Sequence, residues 1–350
     1  MSVVISEVLN MKYPEFLSPG GSIGYVAPSF GCNTEPYRSC LDSARSYFRS
    51  RGYGEVCGSN IYAGDGIGIS SSPAACAAEL TEAYLSEKSD VLFSVGGGEL
   101  MCEILDAVPF DRISAAKPKW FMGYSDNTNF GFLLPTVCDV ASVYGPCAQS
   151  FGAVPPDAYC LDAFSLICGE ALQVHGYDRW EKESLKDALH PLSPGNYTEA
   201  TAIRSLHWDG KPFSGRLLGG CLDCLVNLSG TCFDHVKDFN SRYAGDGVIW
   251  FLEACDLNIF AIRRALWQLQ HTGWFENVKG FLIGRPLCMG QAFLGLDQYS
   301  AVTAMLGQYG VPILMDVDLG HLSPMMPMIN GGYGTVSSCG SNIAVQFELK

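Results

Sequence analysis

The feature that most constrains the fold is the alternation of short apolar runs with segments of helical periodicity in the first half of the chain. Residues 91–95 form an apolar run that ends at three glycines, 96–98, and residues 120–122 form another that ends at "GYSDNT". Apolar residues recur at helical spacing between such runs, for example over 37–48. This alternation predicts βαβ units and a parallel sheet. Because functional loops lie at the carboxyl ends of parallel strands, we expect 96–98 and 123–125 to share one edge of the sheet.

The pattern weakens between residues 155 and 205, where several prolines fall in a polar stretch, and resumes with the apolar run 248–252. A chain of 350 residues is long enough for two domains. We therefore predict an N-terminal domain over 1–154, a connection or flap over 155–205, and a C-terminal domain over 206–350.

Composition excludes several classes of partner. The 22 basic against 36 acidic residues give a formal charge of −14, which disfavours nucleic acids and anionic lipid surfaces. No run of eighteen apolar residues occurs, and the N-terminus lacks the basic region of a secretory signal, so we expect a cytoplasmic protein. The 15 cysteines are scattered through apolar runs, as is typical of free thiols in a reducing compartment. The single C-x-x-C spacing, Cys221 and Cys224, has no second pair that would indicate zinc.

Ser125 is the first candidate for chemistry. An apolar run, a glycine and then a serine are typical of a nucleophile elbow, in which a tight turn exposes the serine at the start of a helix. The backbone N–H groups after Ser125 could then stabilise an oxyanion. The same residues are also good helix caps, and Thr128 stands where the G-x-S-x-G pattern has its last glycine. The motif alone leaves both interpretations open.

A serine nucleophile needs a base and a group that orients it. His321 follows Gly320 in a loop bounded by prolines, which suits a rigidly held imidazole, although a surface histidine would look the same. Glu253 ends a buried apolar run, where an unpaired carboxylate is costly. It could orient His321, or it could pair with an arginine on the following helix.

Two further features have a functional and a structural interpretation. The backbone of Gly97 could face an oxyanion, or the three glycines could form only a tight strand-to-helix turn, and no phosphate-loop lysine follows them. Trp180 lies in a polar segment, where an exposed ring could stack on a flat ligand or pack against the face of a domain.

Taken together, these segments resemble the LD-carboxypeptidase family of serine peptidases, which includes muropeptide LD-carboxypeptidases and the microcin C immunity proteins. Eight stretches match in the family's order along nearly the whole chain. They are "IGYVAPS" (23–29), "DVLFSVGGGE" (90–99), "KPKWFMGYSDNT" (117–128), "VYGPCAQS" (143–150), "GRLLGGCLDCLVNLSGT" (215–231), "GVIWFLEACD" (247–256), "GFLIGRP" (280–286) and "DLGHLSPMMPMINGG" (318–332).

The resemblance implies a Ser-Glu-His triad formed by Ser125, Glu253 and His321, with an oxyanion hole at the backbone of Gly97 and Asp126. It implies an N-terminal flavodoxin-like parallel-sheet domain and a C-terminal mixed, β-rich α/β domain with the site between them. It also implies a homodimer and the use of neither a metal nor an organic cofactor.

Length and a loop tryptophan make this chain similar to the microcin C immunity proteins, in which such a tryptophan stacks on the nucleobase. Trp180 is the matching candidate for substrate binding. The chain departs from the muropeptide enzymes at 95–99, where they often carry an Arg-Gly-Gly-Tyr-Gly type of turn, and at Cys221, where they often have asparagine. Both departures concern substrate contacts rather than the triad.

We therefore predict a serine peptidase that hydrolyses an amide in a peptidyl or aminoacyl nucleotide of the microcin C type, which would give self-immunity or detoxification. The alternative is a muropeptide LD-carboxypeptidase that removes a terminal D-amino acid during cell-wall recycling. Two rivals from other classes are a binding protein without turnover and a nucleotide-binding α/β protein.

Overall fold

The computed structural model describes residues 11–350, which form an α/β architecture with two main sheets. The strands in chain order are β1 (Ser22–Val26), β2 (Gly54–Cys57), β3 (Val91–Ser94), β4 (Trp120–Gly123), β5 (Ser142–Tyr144), β6 (Gln173–His175), β7 (Arg179–Trp180), β8 (Glu199–Ala200), β9 (Arg204–Leu206), β10 (Phe213–Cys221), β11 (Val248–Glu253), β12 (Val278–Gly284), β13 (Ala292–Phe293), β14 (Leu296–Asp297), β15 (Ile313–Val317), β16 (Met328–Asn330), β17 (Tyr333–Cys339) and β18 (Asn342–Glu348). The α-helices are α1 (Tyr37–Ser50), α2 (Pro73–Leu85), α3 (Phe110–Ala115), α4 (Thr128–Gly131), α5 (Leu133–Cys138), α6 (Ala158–Ile167), α7 (Leu222–Leu228), α8 (Val236–Arg242), α9 (Ile259–His271) and α10 (Gln298–Leu306).

The first sheet confirms the predicted flavodoxin-like domain. Its order is β2-β1-β3-β4-β5-β16, and the five strands from the first half of the chain all pair in parallel. The order 2-1-3-4-5 is that of flavodoxin-like sheets, in which ligands bind at the carboxyl ends of the strands. Because helices and loops cover both faces, β3 and β4 are buried at every position and read as continuous apolar runs rather than as alternating ones.

The second sheet confirms the predicted mixed, β-rich character of the C-terminal region. Its order is β6-β18-β17-β10-β11-β12-β15-β9, with four parallel strands, β10, β11, β12 and β15, in the centre. On both sides of these four strands, the outer strands of the sheet pair antiparallel with their neighbours. The carboxyl ends of β10 and β11 meet, because Cys221 and Glu253 are register partners.

Two exchanges of strands tie the halves of the molecule together. Strand β16, from the end of the chain, adds antiparallel to β5 of the first sheet. Strands β6 and β9 come from 155–205 but lie at opposite edges of the second sheet. The predicted connection therefore contains α6 and four strands of two or three residues, which are too short to give a periodic signal. The proposed domain limits at 154 and 205 stay predictions.

Several local predictions can be compared directly with the structure. The Ser72-Pro73 pair is a good sequence signal for a helix start, and Ser72 caps α2, because its Oγ accepts the N–H of Ala75 at 3.3 Å with Pro73 in the first turn. The expected helix after the three glycines is a 3₁₀ segment, Met101–Ala107. Within residues 11–350, no helix is both long and apolar enough to cross a membrane.

Candidate active site

Ser125 stands at a strained turn directly after β4. Tyr124 is extended, Ser125 has a φ of 62°, and a 3₁₀ turn, Ser125–Asn127, leads into α4. A left-handed conformation at a residue other than glycine costs on the order of 1–3 kcal/mol and is common at functional sites. Gly123 is required here by packing, because a Cβ there would lie 2.9 Å from the Cβ of Asn127. The strand, turn and helix of a nucleophile elbow are therefore present.

The side chains of Ser125, His321 and Glu253 form one continuous chain of hydrogen bonds. The Nε2 of His321 lies 2.9 Å from the Oγ of Ser125, and its Nδ1 lies 2.9 Å from Oε2 of Glu253. Glu253 is 2 % exposed, at the end of β11, and its ionic partner among the described residues is His321 rather than an arginine of α9. The structure thus brings together all three residues that the sequence singled out, in the arrangement of a nucleophile, a base and an orienting acid.

Tyr144 is a member of this network that sequence reasoning missed. Its hydroxyl donates to Oε1 of Glu253 at 2.5 Å and accepts the backbone N–H of Ser125 at 3.3 Å. Both oxygens of Glu253 are therefore engaged, one by His321 and the other by Tyr144. Tyr144 lies in one of the family-like stretches, "VYGPCAQS", but nothing in its spacing indicates a contact 109 residues away.

The loop that carries His321 depends on a glycine. Gly320 has a φ of 94°, and a Cβ there would lie 2.4 Å from Oε2 of Glu253. Any side chain at this position would displace the carboxylate that orients the imidazole. The loop is also anchored by Asp318, which accepts the N–H of Tyr177 at 2.6 Å and pairs with the guanidinium of Arg285.

The pair of Arg285 and Asp318 is buried, with side chains 1 % and 0 % exposed. Removing one partner of a buried pair leaves the other charge uncompensated, so Arg285→Leu is expected to lower the free energy of unfolding by about 3–5 kcal/mol. Urea denaturation followed by circular dichroism measures this loss. The exposed pair of Lys211 and Asp209 is the control, because Lys211→Ala should cause no measurable change. An equal effect of both variants would contradict the buried arrangement.

Gly97 and Asp126 both lie next to Ser125, and their role in an oxyanion hole stays a prediction. A Cβ on Gly97 would come within 3.2 Å of both Cβ and Oγ of Ser125, so the glycine lets this backbone approach the nucleophile. Within residues 11–350, the N–H groups of Gly97 and Asp126 make no hydrogen bond. The carboxylate of Asp126 holds the turn in place, because it accepts from Ser29 Oγ at 2.5 Å and from the N–H of Met101 at 2.9 Å.

An exposed ring was one interpretation of Trp180, and the structure corrects it. Trp180 is 8 % exposed and lies against the guanidinium of Arg285, whose Cζ is 5.1 Å from the ring centroid. The pairing of β7 with β8 places the ring against the body of the molecule rather than in solvent. Its neighbour Glu181 donates its backbone N–H to the carbonyl of Ser323 in the His321 loop. A direct contact of Trp180 with substrate stays a prediction.

The buried carboxylate and imidazole shift each other's pKa. Burial alone would lower the pKa of His321, but the adjacent Glu253 carboxylate and the Cys255 side chain together raise that pKa well above its usual value. Burial alone would raise the pKa of Glu253, but the His321 cation lowers it overall. Glu253 is therefore ionised near neutral pH and stabilises a protonated imidazole.

The pH dependence follows from the raised pKa of His321. A general base must be neutral to accept a proton, so kcat/KM should rise with pH, and its midpoint should lie above 6.5. Below that midpoint, the imidazole is protonated and activity is lost. The midpoint should fall in Glu253→Gln, because the carboxylate that raises the pKa is gone. A rate profile between pH 5 and 10 measures both, and a midpoint below 6.5 in the unmodified protein would contradict the assignment.

Two cavities meet at the Ser125–His321 pair. The thiol cavity, of about 350 Å³, contains Ser125 and Asp126 in its wall, and four cysteines also line it: Cys102, Cys221, Cys224 and Cys255. The tyrosine cavity, of about 310 Å³, contains His321 in its wall, and four tyrosines also line it: Tyr37, Tyr124, Tyr159 and Tyr197. All 15 cysteines are free thiols, as expected. A substrate can therefore lie across the reactive pair with one part in each cavity.

Two family models match most of the chain. The model of the LD-carboxypeptidase N-terminal domain matches residues 23–145, and that of the LD-carboxypeptidase C-terminal domain matches residues 214–336. A Streptomyces coelicolor protein named as a candidate carboxypeptidase is 24 % identical over 315 residues, which cover 88 % of this chain and 87 % of the relative.

Solved structures share the fold over nearly the whole chain. A variant of the microcin C7 self-immunity protein in complex with AMP has a TM-score of 0.80 at 20 % identity, over 96 % of this chain and 98 % of the other. A protein from Bacillus anthracis that resembles this immunity protein has a TM-score of 0.80 at 21 % identity, over 96 % and 100 %. A similar protein from Streptococcus pneumoniae, also with AMP, has a TM-score of 0.75 at 21 % identity, over 94 % and 99 %. With both family domains matched in order, the chain belongs to the LD-carboxypeptidase family and is a serine-type hydrolase.

Proposed function

We propose that this protein hydrolyses an amide bond in a peptidyl or aminoacyl nucleotide of the microcin C type, with Ser125, His321 and Glu253 as the catalytic triad. The observation that carries the proposal is the hydrogen-bond chain from Ser125 through His321 to Glu253, with 2.9 Å at both links. A serine is a weak nucleophile on its own, and this chain supplies the base that activates it.

The chemistry proceeds in two steps. The Oγ of Ser125 attacks the amide carbonyl while Nε2 of His321 accepts the hydroxyl proton, and Glu253 stabilises the imidazolium. The N–H groups of Gly97 and Asp126 donate to the oxyanion. His321 then gives the proton to the leaving amine, the C–N bond breaks, and an acyl ester remains on Ser125. Water, deprotonated by His321, attacks this ester and releases the acid.

The tyrosine cavity favours a nucleotide as the leaving group. His321 lies in the wall of this cavity and protonates the leaving amine, so the leaving group belongs on this side. Aromatic side chains such as Tyr37 and Tyr124 offer flat faces on which a nucleobase can stack. Solved relatives at about 20 % identity were obtained with AMP, aspartyl sulfamoyl adenosine and glutamyl sulfamoyl guanosine.

The second candidate is removal of a terminal D-amino acid from a muropeptide. Both matched domain models carry the LD-carboxypeptidase description, and the same triad would perform this reaction. The D-amino acid would then be the leaving amine in the tyrosine cavity. The cytoplasmic location and the homodimer also stay proposals.

A paired assay separates the two candidates. One reaction contains an aminoacyl sulfamoyl adenosine and the other an LD-linked muropeptide tetrapeptide, and mass spectrometry follows both, with Ser125→Ala as the control. We expect the unmodified protein to cleave the nucleotide and Ser125→Ala to cleave neither substrate. Cleavage of the tetrapeptide alone would replace the nucleotide substrate by the cell-wall one.

A further inference from the structure

The charge of the thiol cavity is one-sided. Three carboxylates line it, those of Glu99, Asp223 and Asp256, in addition to the buried Asp126. None of the residues that line this cavity is a lysine, an arginine or a histidine. The four cysteines add no positive charge. A ligand group in this cavity therefore meets negative charge on several sides, and no basic side chain among the lining residues offsets it.

The loop that follows β11 holds the carboxylate of Asp223 in place through two backbone hydrogen bonds. The carboxylate accepts the N–H of Cys255 at 3.0 Å and the N–H of Asp256 at 2.9 Å. These bonds hold the loop against the start of α7 and place Asp256 at the cavity. The carboxylate of Asp223 is thus part of an ordered wall, whereas those of Glu99 and Asp256 are exposed at the rim of the cavity.

Asn129 orders a further part of the cavity wall. It lines the same cavity and is 1 % exposed. Its Nδ2 donates to the carbonyl and to Oδ1 of Asp126, both at 2.9 Å, which fixes the orientation of the amide because a flipped amide would place oxygen against oxygen. Its Oδ1 is then a buried acceptor without a hydrogen-bond partner among the described residues. Asn129 thus fixes the side chain of Asp126, which lies in the wall of the same cavity.

The chemistry determines which part of the substrate enters this cavity. The leaving amine must lie near Nε2 of His321, which lines the tyrosine cavity. The acyl part stays on Oγ of Ser125, which lines the thiol cavity. The thiol cavity is therefore the acyl side, provided that hydrolysis takes place at Ser125 as proposed above.

We propose that the thiol cavity selects acyl groups that carry a positively charged side chain, an ammonium or a guanidinium, and disfavours acidic ones. Glu99 and Asp256 attract the cation at the exposed side of the cavity, and Asp223 sets the negative potential of its wall. A lysyl or arginyl acyl group donates hydrogen bonds to these carboxylates, whereas a glutamyl group would face them with a like charge.

The test compares three acyl groups of similar size, lysyl, glutaminyl and glutamyl. Each is presented once on sulfamoyl adenosine and once on D-alanine, so that selectivity for the acyl group is separated from the identity of the leaving group. We expect kcat/KM for lysyl to exceed that for glutaminyl about tenfold and that for glutamyl about a hundredfold, at pH 7.5 and low salt.

Single substitutions test which carboxylates cause the preference for the lysyl substrate. Asp256→Asn and Glu99→Gln should each raise KM for the lysyl substrate several-fold more than KM for the glutaminyl substrate. Asp256→Lys should shift the preference towards the glutamyl substrate. Asp106→Asn is the matched control, because Asp106 is an exposed carboxylate on the neighbouring 3₁₀ segment that lines neither cavity.

The outcomes separate this inference from the proposed function. Cleavage of glutamyl or glutaminyl substrates as fast as lysyl ones would overturn the selectivity and leave the hydrolase function intact. Failure to cleave any acyl group on either leaving group would overturn the function itself. Calorimetric binding of the lysyl and glutamyl sulfamoyl adenosines to Ser125→Ala then tests the selectivity without turnover, and equal dissociation constants would overturn it.

Discussion

Ser125→Ala is expected to lower kcat by about 10⁴- to 10⁶-fold, because no other hydroxyl can take the place of Oγ at 2.9 Å from Nε2 of His321. The fold should be unaffected, since the surrounding turn holds the positive φ at this position whichever of the two side chains is present. Steady-state kinetics on the cleaved substrate, with thermal unfolding in parallel, measure both effects.

The control for Ser125→Ala is another serine replaced in the same way. Ser241→Ala is suitable, because the Ser241 hydroxyl is exposed on α8 and bonds only within that helix, to the carbonyl of Lys237. It should retain full activity. Substantial turnover by Ser125→Ala would exclude Ser125 as the nucleophile, whatever the geometry around it.

Glu253→Gln is expected to lower kcat by about 10³- to 10⁴-fold, for a reason that the Tyr144 contact makes specific. The Tyr144 hydroxyl donates to Oε1, so the oxygen of the new amide would take that position. Its NH₂ group would then point at Nδ1 of His321 and donate to it. The imidazole would carry its proton on Nε2, from which it cannot accept the proton of Ser125.

The double variant Glu253→Gln with Tyr144→Phe tests this explanation. Without the tyrosine hydroxyl, the amide can turn its oxygen towards His321 and restore the working tautomer. The double variant should therefore be more active than Glu253→Gln alone, although Tyr144→Phe by itself lowers activity. If the loss of activity in the double variant equals the product of the losses in the two single variants, Tyr144 does not set the orientation of the side chain at position 253. Kinetics on all four proteins complete the cycle.

Ser125, Glu253 and His321 were each singled out because they lie at or after a predicted strand, and the family resemblance combined them into a triad. Ser125 follows a strand of the first sheet, whereas Glu253 and His321 lie at the ends of strands of the second, so their meeting depends on how the two sheets pack. The alternation of strands and helices predicted a parallel sheet, and the family resemblance implied its flavodoxin-like character and the mixed second sheet.

Other parts of the site depend on long-range packing that no local pattern encodes. The contact between Tyr144 and Glu253 joins the two sheets, and the need for Gly320 arises only from its distance to Glu253. Trp180 was considered as an exposed residue because its sequence neighbours are charged, but the two-residue strand β7 turns the ring onto Arg285. Short strands of this kind are decided by tertiary contacts rather than by propensity.

The most direct test of the proposed mechanism is to identify the residue that becomes acylated during turnover. Rapid-quench mass spectrometry, with peptide mapping, is applied to the unmodified protein and to Glu253→Gln, in which the ester should persist longer. We predict the mass of the acyl group on Ser125, within the segment 117–128, and its loss in Ser125→Ala. An acyl group on Cys221 or Cys224 in the adjacent cavity, or steady hydrolysis with no adduct on Ser125 at any quench time, would contradict it.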